Sequence, residues 1–184
     1  MAARKNTAFT SLVVKEHEHV KKPCVILGVD PGTLVTGYGL IRLGQHWEVL
    51  DYGCVRPPAK QDLAVRYRII FESISALMKK FQPVACSIET QFVGKNVQSA
   101  IKLGMARGVI VLAASLQQIP VFEYAPTKAK RAVMGRGHAS KLQVQKMIQH
   151  LLGLSLLPEP EDAADALALA ICHGHQMKIQ LSRI

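Results

Sequence analysis

One short apolar run, CVILGV, constrains the fold of this chain more than any other feature. It spans Cys24 to Val29, is rich in β-branched residues and lies between Pro23 and Pro31-Gly32, a pattern typical of a strand buried on both faces. Asp30, which ends the run, is therefore expected at the edge of a core. Asp-Pro-Gly is also ordinary turn chemistry, so Asp30 alone does not indicate a function.

The composition favours one compact domain that meets a polyanion. The chain has 184 residues, of which 49% are hydrophobic, and its 23 Lys and Arg against 13 Asp and Glu give a formal net charge of +10. Such an excess favours nucleic acid or an anionic membrane surface, and nucleic acid is the commoner case. No apolar run is expected to approach the length of a membrane span, and the N-terminus lacks the features of a signal peptide, so we expect a cytoplasmic location without membrane partners.

The four cysteines are far apart and form no C-x-x-C pair, which predicts reduced, mostly buried thiols. A zinc cluster at Cys172-His173-Gly174-His175 is the alternative, but no second Cys/His pair is present to complete four ligands. Histidines that favour the dipole at a helix C-terminus are the preferred interpretation of this motif.

Hydrophobic periodicity predicts an α/β fold with a mixed five-stranded sheet flanked by helices. Residues 1–22 are read as a flexible N-terminal extension, 23–176 as the domain and 177–184 as a short C-terminal tail. Three antiparallel strands are expected first, and strands parallel to the first one follow after helical crossovers. The predicted strands are Cys24–Asp30, Gly37–Leu43, Trp47–Val55, Val84–Glu89 and Val121–Tyr124. The predicted helices are Asp62–Phe81, Asn96–Gln117, Lys141–Leu152 and Glu161–His173, with a basic segment at Lys128–Lys141.

Four carboxylates are expected to meet at one edge of this sheet. Glu89 ends the fourth strand as Asp30 ends the first, and a right-handed crossover would lay the two strands parallel. Asp162 and Asp165 are three residues apart and share one face of the last helix, although Asp is also a common capping residue there.

Four acids at one place repel one another unless a cation joins them. Carboxylate oxygens suit Mg²⁺ or Mn²⁺, and two such ions about 4 Å apart can activate water and stabilise a leaving oxygen in phosphodiester cleavage. Beside a basic surface, the residues themselves therefore indicate a metal-dependent nuclease.

Four segments resemble the RuvC family of Holliday-junction resolvases, in its order and at its spacing, over roughly residues 24–175. They are ILGVDPGTLVTGYGLI, SIETQFVGKNVQSAIKLGMARG, VFEYAPTKAKR and EDAADALALAICH. The resemblance implies an RNase H-like fold, a homodimer and branch-migration proteins as partners. It also implies Mg²⁺-dependent, symmetrically paired nicks across a four-way DNA junction, which leave ligatable ends during recombination and repair.

The resemblance carries functional residues over position by position. The family's acidic tetrad falls on four residues, which would hold the metal and act in catalysis: Asp30, Glu89, Asp162 and Asp165. Its base-stacking aromatic falls on Phe92, and its essential basic residues fall on Lys130 and Lys141. The resemblance does not extend to residues 1–22.

Further DNA contacts are expected from the basic residues as a group. Any one of them could be a solvated surface charge, but together they are better explained by phosphate contact. The candidates are Lys95, Lys128, Lys130, Arg136 and Lys141. The apolar second half of the Asn96–Gln117 helix is the candidate dimer interface, with core packing as the alternative.

Two other functions stay open. GVDPGT also resembles the phosphate-loop hairpin of actin-like ATPases and sugar kinases, but those need two such lobes and only one full copy is present. A junction-binding protein that has lost its chemistry is the second alternative, and the presence of all four acids argues against it.

Overall fold

The computed structural model describes residues 24–90, 96–136 and 139–181, which form a five-stranded mixed sheet with helices on both faces. The strands are β1 (Cys24–Asp30), β2 (Thr36–Leu43), β3 (Glu48–Val55), β4 (Ala85–Glu89) and β5 (Val121–Tyr124). Their order in the sheet is β3-β2-β1-β4-β5. β1 pairs antiparallel with β2 and parallel with β4, and β4 pairs parallel with β5, as the sequence predicts. The predicted extension at 1–22, with Phe92 and Lys95, lies outside the described residues.

Five helices connect and cover the strands. They are α1 (Leu63–Phe81), α2 (Val97–Leu116), α3 (Pro126–Met134), α4 (Lys141–Leu152) and α5 (Glu161–Leu181). α3 lies in the segment predicted only as basic: Pro126 stands in its first turn and Gly135, in the left-handed conformation, ends it. The sequence did not predict this helix, because its many basic residues obscure the apolar pattern of Ala129 and Val133.

α5 is longer than predicted, because it continues past His173 to Leu181. The side chain of Trp47, which lies just before β3, packs against this second half: a Cβ on Gly174 would lie 3.0 Å from the ring, and the His175 ring centroid is 4.8 Å away. These tertiary contacts extend a helix that local sequence signals would end near its histidines.

The histidines are therefore not at a helix C-terminus, and that prediction is wrong. His173 is buried and its Nδ1 lies 2.7 Å from the hydroxyl of Tyr124, while the ring of Phe122 stacks on it at 4.1 Å. Burial lowers the pKa of His173 to about 4, so the ring is neutral at physiological pH. Cys54, Cys86 and Cys172 are reduced thiols; Cys86 and Cys172 are buried and Cys54 is half-buried.

The core has two layers, one on each face of the sheet. On one face Leu27 and Val29 of β1 pack with α1 and α2, and on the other Ile26 packs with α3, α4 and α5. β1 is buried on both faces, as its apolar run predicts.

α2 differs from the other helices because one of its faces is apolar and exposed. Its exposed large apolar residues are Val97, Ile101, Met105, Leu112 and Leu116. Within the described ranges, α2 is also the one helix whose length and composition would suffice to cross a membrane, so the expectation that no apolar run approaches that length is wrong. Length and composition alone do not distinguish a membrane span from the core helix of a soluble protein.

Candidate active site

Two of the predicted acids end neighbouring parallel strands. Asp30 is the last residue of β1 and Glu89 is the last residue of β4, and Val29 and Ile88, the residues before them, are register partners. Parallel strands end at the same edge of a sheet, which is where α/β proteins place their ligands. Asp30 and Glu89 therefore lie side by side at this edge.

α5 brings the other two acids to the same edge because its backbone contacts the sheet directly. A Cβ on Gly28 of β1 would lie 2.0 Å from the carbonyl oxygen of Ala166, and a Cβ on Gly37 of β2 would lie 2.0 Å from that of Asp162. Only glycine allows this approach. Asp162 and Asp165, in the first two turns of α5, consequently reach the ends of β1 and β4.

Sequence interpretation missed the role of these glycines. The available signal was the alternation of Gly37 and Gly39 on one face of a strand, together with an alanine-rich helix that could approach it.

The acids lie close enough to influence one another electrostatically. The pKa of Asp30 is raised to about 8, first by burial and then by the negative charges of Glu89, Asp165 and Asp162, while Lys141 lowers it. Burial, followed by the charge of Asp165, also raises the pKa of Glu89. Carboxyl groups with raised pKa values at a sheet edge are typical of functional sites.

Two lysines oppose this effect. The pKa of Asp165 is raised by burial, but Lys141 and then Lys130 lower it. Lys130 also lowers the pKa of Glu89. Lys130 and Lys141 thus lie near the acids.

The donor chemistry of the cluster suits a hard divalent cation. All four side chains offer carboxylate oxygens, and their mutual repulsion would be relieved by a cation between them. Among the described residues, no three His, Cys, Asp or Glu side chains are already gathered as a complete ligand group. The backbone places the four side chains on three adjoining elements, β1, β4 and α5.

Of the described basic candidates on α3, α4 and the segment between them, Lys128, Arg136 and Lys141 are exposed and Lys130 is half-buried. Lys141 begins α4, whose start is defined by a capping box between Ser140 and Gln143. Its Nζ donates to Glu161 Oε2 at 2.6 Å, a partner that the sequence did not indicate. Lys128 Nζ lies 5.0 Å from the centroid of the Tyr124 ring, and Arg136 is exposed just after α3.

Cys54 is a second neighbour that sequence interpretation missed. It lies on β3 opposite Gly37, and the backbone N–H of Ala163, at the beginning of α5, lowers the pKa of its thiol. Burial, then the charge of Asp162, raises the pKa of the thiol. Cys54 therefore contacts the beginning of α5, next to Asp162.

The four acids are half-buried at the sheet edge. Two clefts of about 470 and 480 Å³ lie elsewhere on the molecule, and neither is lined by any of the four acids. An acidic edge beside the exposed Lys141 and the half-buried Lys130 suits a polyanionic substrate.

Comparisons with known proteins agree with this geometry. The family model described as "Crossover junction endodeoxyribonuclease RuvC" matches residues 26–173. A relative of that name from Protochlamydia amoebophila is 60% identical over 156 residues, which are 84% of this chain and 92% of the relative. One from Chlamydia felis is 54% identical over 155 residues, 82% of this chain and 92% of the relative. The solved structure of Thermus thermophilus RuvC in complex with a Holliday junction substrate superimposes with a TM-score of 0.81 at 31% identity, covering 85% of this chain and 96% of that one.

Proposed function

Because this chain belongs to the RuvC family of crossover junction endodeoxyribonucleases, we propose that it resolves four-way DNA junctions by paired, symmetric, metal-dependent nicks. The observation that carries the proposal is the convergence of four carboxylates from β1, β4 and α5 beside two lysines. The products would be two duplexes with ligatable ends, as homologous recombination and DNA repair require.

Asp30, Glu89, Asp162 and Asp165 are the residues proposed to hold the metal. Enzymes of this family use divalent metal, and Mg²⁺, two ions to each site, fits an all-carboxylate set, with Mn²⁺ as a substitute. When bound, such ions supply Lewis acidity toward the phosphodiester and an activated water. The protein's part is to hold the four carboxylates in fixed relative positions, which its packed backbone provides.

Two groups of basic residues serve different purposes in this proposal. Lys130 and Lys141 lie near the acids and position the phosphate that is cut. Lys128 and Arg136 are exposed and contact phosphates farther along the arms of the junction.

Phe92 and Lys95, in the segment after Glu89, complete the proposed DNA surface. Phe92 stacks on a base unpaired at the crossover, which contributes about 1–3 kcal/mol for base stacking of this kind. Lys95 adds a phosphate contact.

The functional unit is proposed to be a homodimer that pairs through α2. A four-way junction has approximate two-fold symmetry, so a C₂ dimer presents one acid cluster to each of the two strands that are cut. The exposed apolar residues of α2 recur on one helix face, and Gly104 and Gly108 leave open space there. A second copy of α2 would bury this face.

The dimer proposal has its own test. Leu112→Glu places a charge in the middle of the α2 face, so sedimentation should change from dimer to monomer, while Leu156→Glu, at an exposed residue outside α2, should remain dimeric. Wild-type protein that stays monomeric at micromolar concentration, even with junction present, would contradict the proposal.

Branch-migration proteins are proposed as partners, because they move the crossover along the DNA before it is cut. We propose that the protein acts on DNA in the cytoplasm, and the thiols of Cys54, Cys86 and Cys172 are consistent with a reducing compartment.

The decisive experiment is incubation of the purified chain with a labelled four-way junction. We expect paired nicks at symmetric positions with Mg²⁺, none with EDTA, and much weaker cutting of a linear duplex of the same sequence. Binding without cutting in Mg²⁺ and in Mn²⁺ would instead favour a junction-binding protein without nuclease activity.

A further inference from the structure

The geometry points to Arg66 as a positioning residue for the acid cluster: its guanidinium holds the loop that follows Asp30. This inference rests on the proposed function, because it assigns a role in the same site. It concerns a residue of α1, an element that contributes none of the four acids.

Arg66 makes an unusual contact for a charged residue. It stands in the first turn of α1 and is only 9% exposed. Its Nε donates to the carbonyl oxygen of Thr33 at 2.9 Å, and its Nη2 donates to the same oxygen. No ion pair joins Arg66 to any carboxylate in the part of the chain that the structure describes.

The burial of Arg66 costs folding free energy, so stability alone does not explain it. Burying a guanidinium removes hydration, and a neutral carbonyl compensates for that loss less well than a carboxylate does. An apolar side chain of similar length would fill the same space without that cost. What an apolar side chain cannot do is donate two N–H groups to one backbone oxygen, which fixes the position of Thr33.

Thr33 belongs to the loop of residues 31–35, which connects β1 to β2 and begins directly after Asp30. The loop is tightly folded: the Thr36 hydroxyl donates to the Gly32 carbonyl at 2.7 Å, and a Cβ on Gly32 would lie 2.0 Å from the carbonyl oxygen of Val35. This hydrogen bond and this close backbone approach hold the loop together. A restraint on Thr33 therefore also restrains Pro31 and Gly32, the first residues of the loop.

The consequence for the site concerns Asp30. Its carboxylate must face those of Glu89 and Asp165, and Lys141 is the cation that lowers its pKa. Arg66 acts through the backbone, by fixing the direction in which the chain leaves β1. Loss of this restraint would leave the fold and the basic surface in place but would misorient one of the four metal ligands.

The test compares three variants. Arg66→Met keeps the length and removes the donors, and Arg66→Lys keeps a charge but offers a single nitrogen. Arg68→Met is the matched control, because Arg68 lies on the same helix, is exposed and pairs only with Glu72 at 3.3 Å among the described residues. The measurements are junction affinity in Ca²⁺, single-turnover cleavage in Mg²⁺, Mn²⁺ affinity without DNA by calorimetry, and hydrogen exchange of residues 31–36.

For Arg66→Met we expect cleavage to fall about 100-fold, the loss that a small misplacement at an active site produces, with junction affinity unchanged. Mn²⁺ affinity should fall and the amides of residues 31–36 should exchange faster. Arg66→Lys should lie between Arg66→Met and wild type, and Arg68→Met should match wild type in all four measurements.

Three results would overturn the inference. The first is that Arg66→Met cuts junctions as fast and binds Mn²⁺ as tightly as the control, Arg68→Met. The second is a loss of junction affinity in proportion to cleavage, which would make Arg66 a DNA contact. The third is unfolding of both Arg66 variants, which would make it a residue of the fold alone. If wild type does not cut junctions, the proposed function fails, while Mn²⁺ affinity and hydrogen exchange still report on Arg66.

Discussion

The acid cluster and the basic surface beside it are built in opposite ways. Asp30, Glu89 and Asp165 are half-buried on strands and a helix that touch through backbone, whereas Lys128, Lys141 and Arg136 are exposed. Metal-assisted chemistry depends on where oxygens stand to a fraction of an ångström. Attraction of phosphate acts over about 8–10 Å at ordinary salt, so flexible lysines suffice for binding. We therefore expect that mutations can separate the cleavage of DNA from its binding.

The largest expected effect comes from neutralising the acids. Asp30→Asn, Glu89→Gln or Asp165→Asn should reduce single-turnover cleavage by about three orders of magnitude or more, because each removes one of the proposed metal ligands. Junction affinity in Ca²⁺ should persist, since it depends on Lys and Arg. Asp162→Asn should also be severe, although Asp165 can compensate in part. Loss of affinity in step with cleavage would show that the two regions are not separable.

The second prediction concerns the backbone contact that places α5. Gly28→Ala puts a methyl group where the Ala166 carbonyl stands, so α5 must move away from β1. We expect destabilisation by about 1–3 kcal/mol, as overpacking costs, and a cleavage loss larger than any loss of binding. Thermal unfolding and single-turnover assays measure the two.

Gly44→Ala is the control for that substitution, because its Cβ would meet only the His46 carbonyl, at 3.2 Å. It should leave cleavage unchanged. If Gly28→Ala behaves like Gly44→Ala, the close approach of α5 to β1 is not required for activity.

The third prediction divides the basic surface itself. Lys141→Ala should lower the cleavage rate more than the affinity, because Lys141 lies near Asp30 and Asp165. Lys128→Ala should instead weaken binding several-fold and reduce the slope of log affinity against log salt by about 0.9, the value for one phosphate contact. Titrations at four salt concentrations, with cleavage at saturating enzyme, separate the two effects. Identical behaviour of both variants would argue against the division.

The smallest effect is a pH dependence of stability in metal-free protein. The pKa of Asp30 is about 8 in the folded chain and near the ordinary 3.8 when unfolded. Between these values the folded state binds more protons, so stability falls as pH rises. In EDTA, the melting temperature of wild type should fall, relative to that of Asp30→Asn, as the pH is raised from about 5.5 to about 8.5. The expected fall is about 2–4 °C for each 1 kcal/mol lost from the free energy of unfolding.

His173 contributes to stability with the opposite sign, because its pKa is lowered to about 4 and the unfolded chain gains a proton as pH falls below 6.5. His173 is present in both proteins, so its contribution cancels in the comparison. Parallel melting curves for wild type and Asp30→Asn would contradict the raised pKa of Asp30.

Local signals in the sequence were sufficient for most of the architecture. The apolar run at Cys24–Asp30 and the i, i+3 spacing of Asp162 and Asp165 depend on neighbours in the chain, and both could be interpreted without coordinates. α3 and the second half of α5 were missed, since the first is masked by charge and the second depends on contact with Trp47.

By itself, the sequence determined the strand order of the sheet's first half, the parallel crossover and the four acids as candidates, because periodicity and chain connectivity limit how these segments can pair. Only the tertiary structure decided how close the acids come, which lysines lie beside them and what Arg66 holds. The positions of the acids depend on glycines that let α5 contact β1 and β2. The role of Arg66 depends on its bond to the Thr33 carbonyl, 33 positions earlier in the chain. Contacts between residues so far apart in sequence form only when the whole core packs, so no local pattern encodes them.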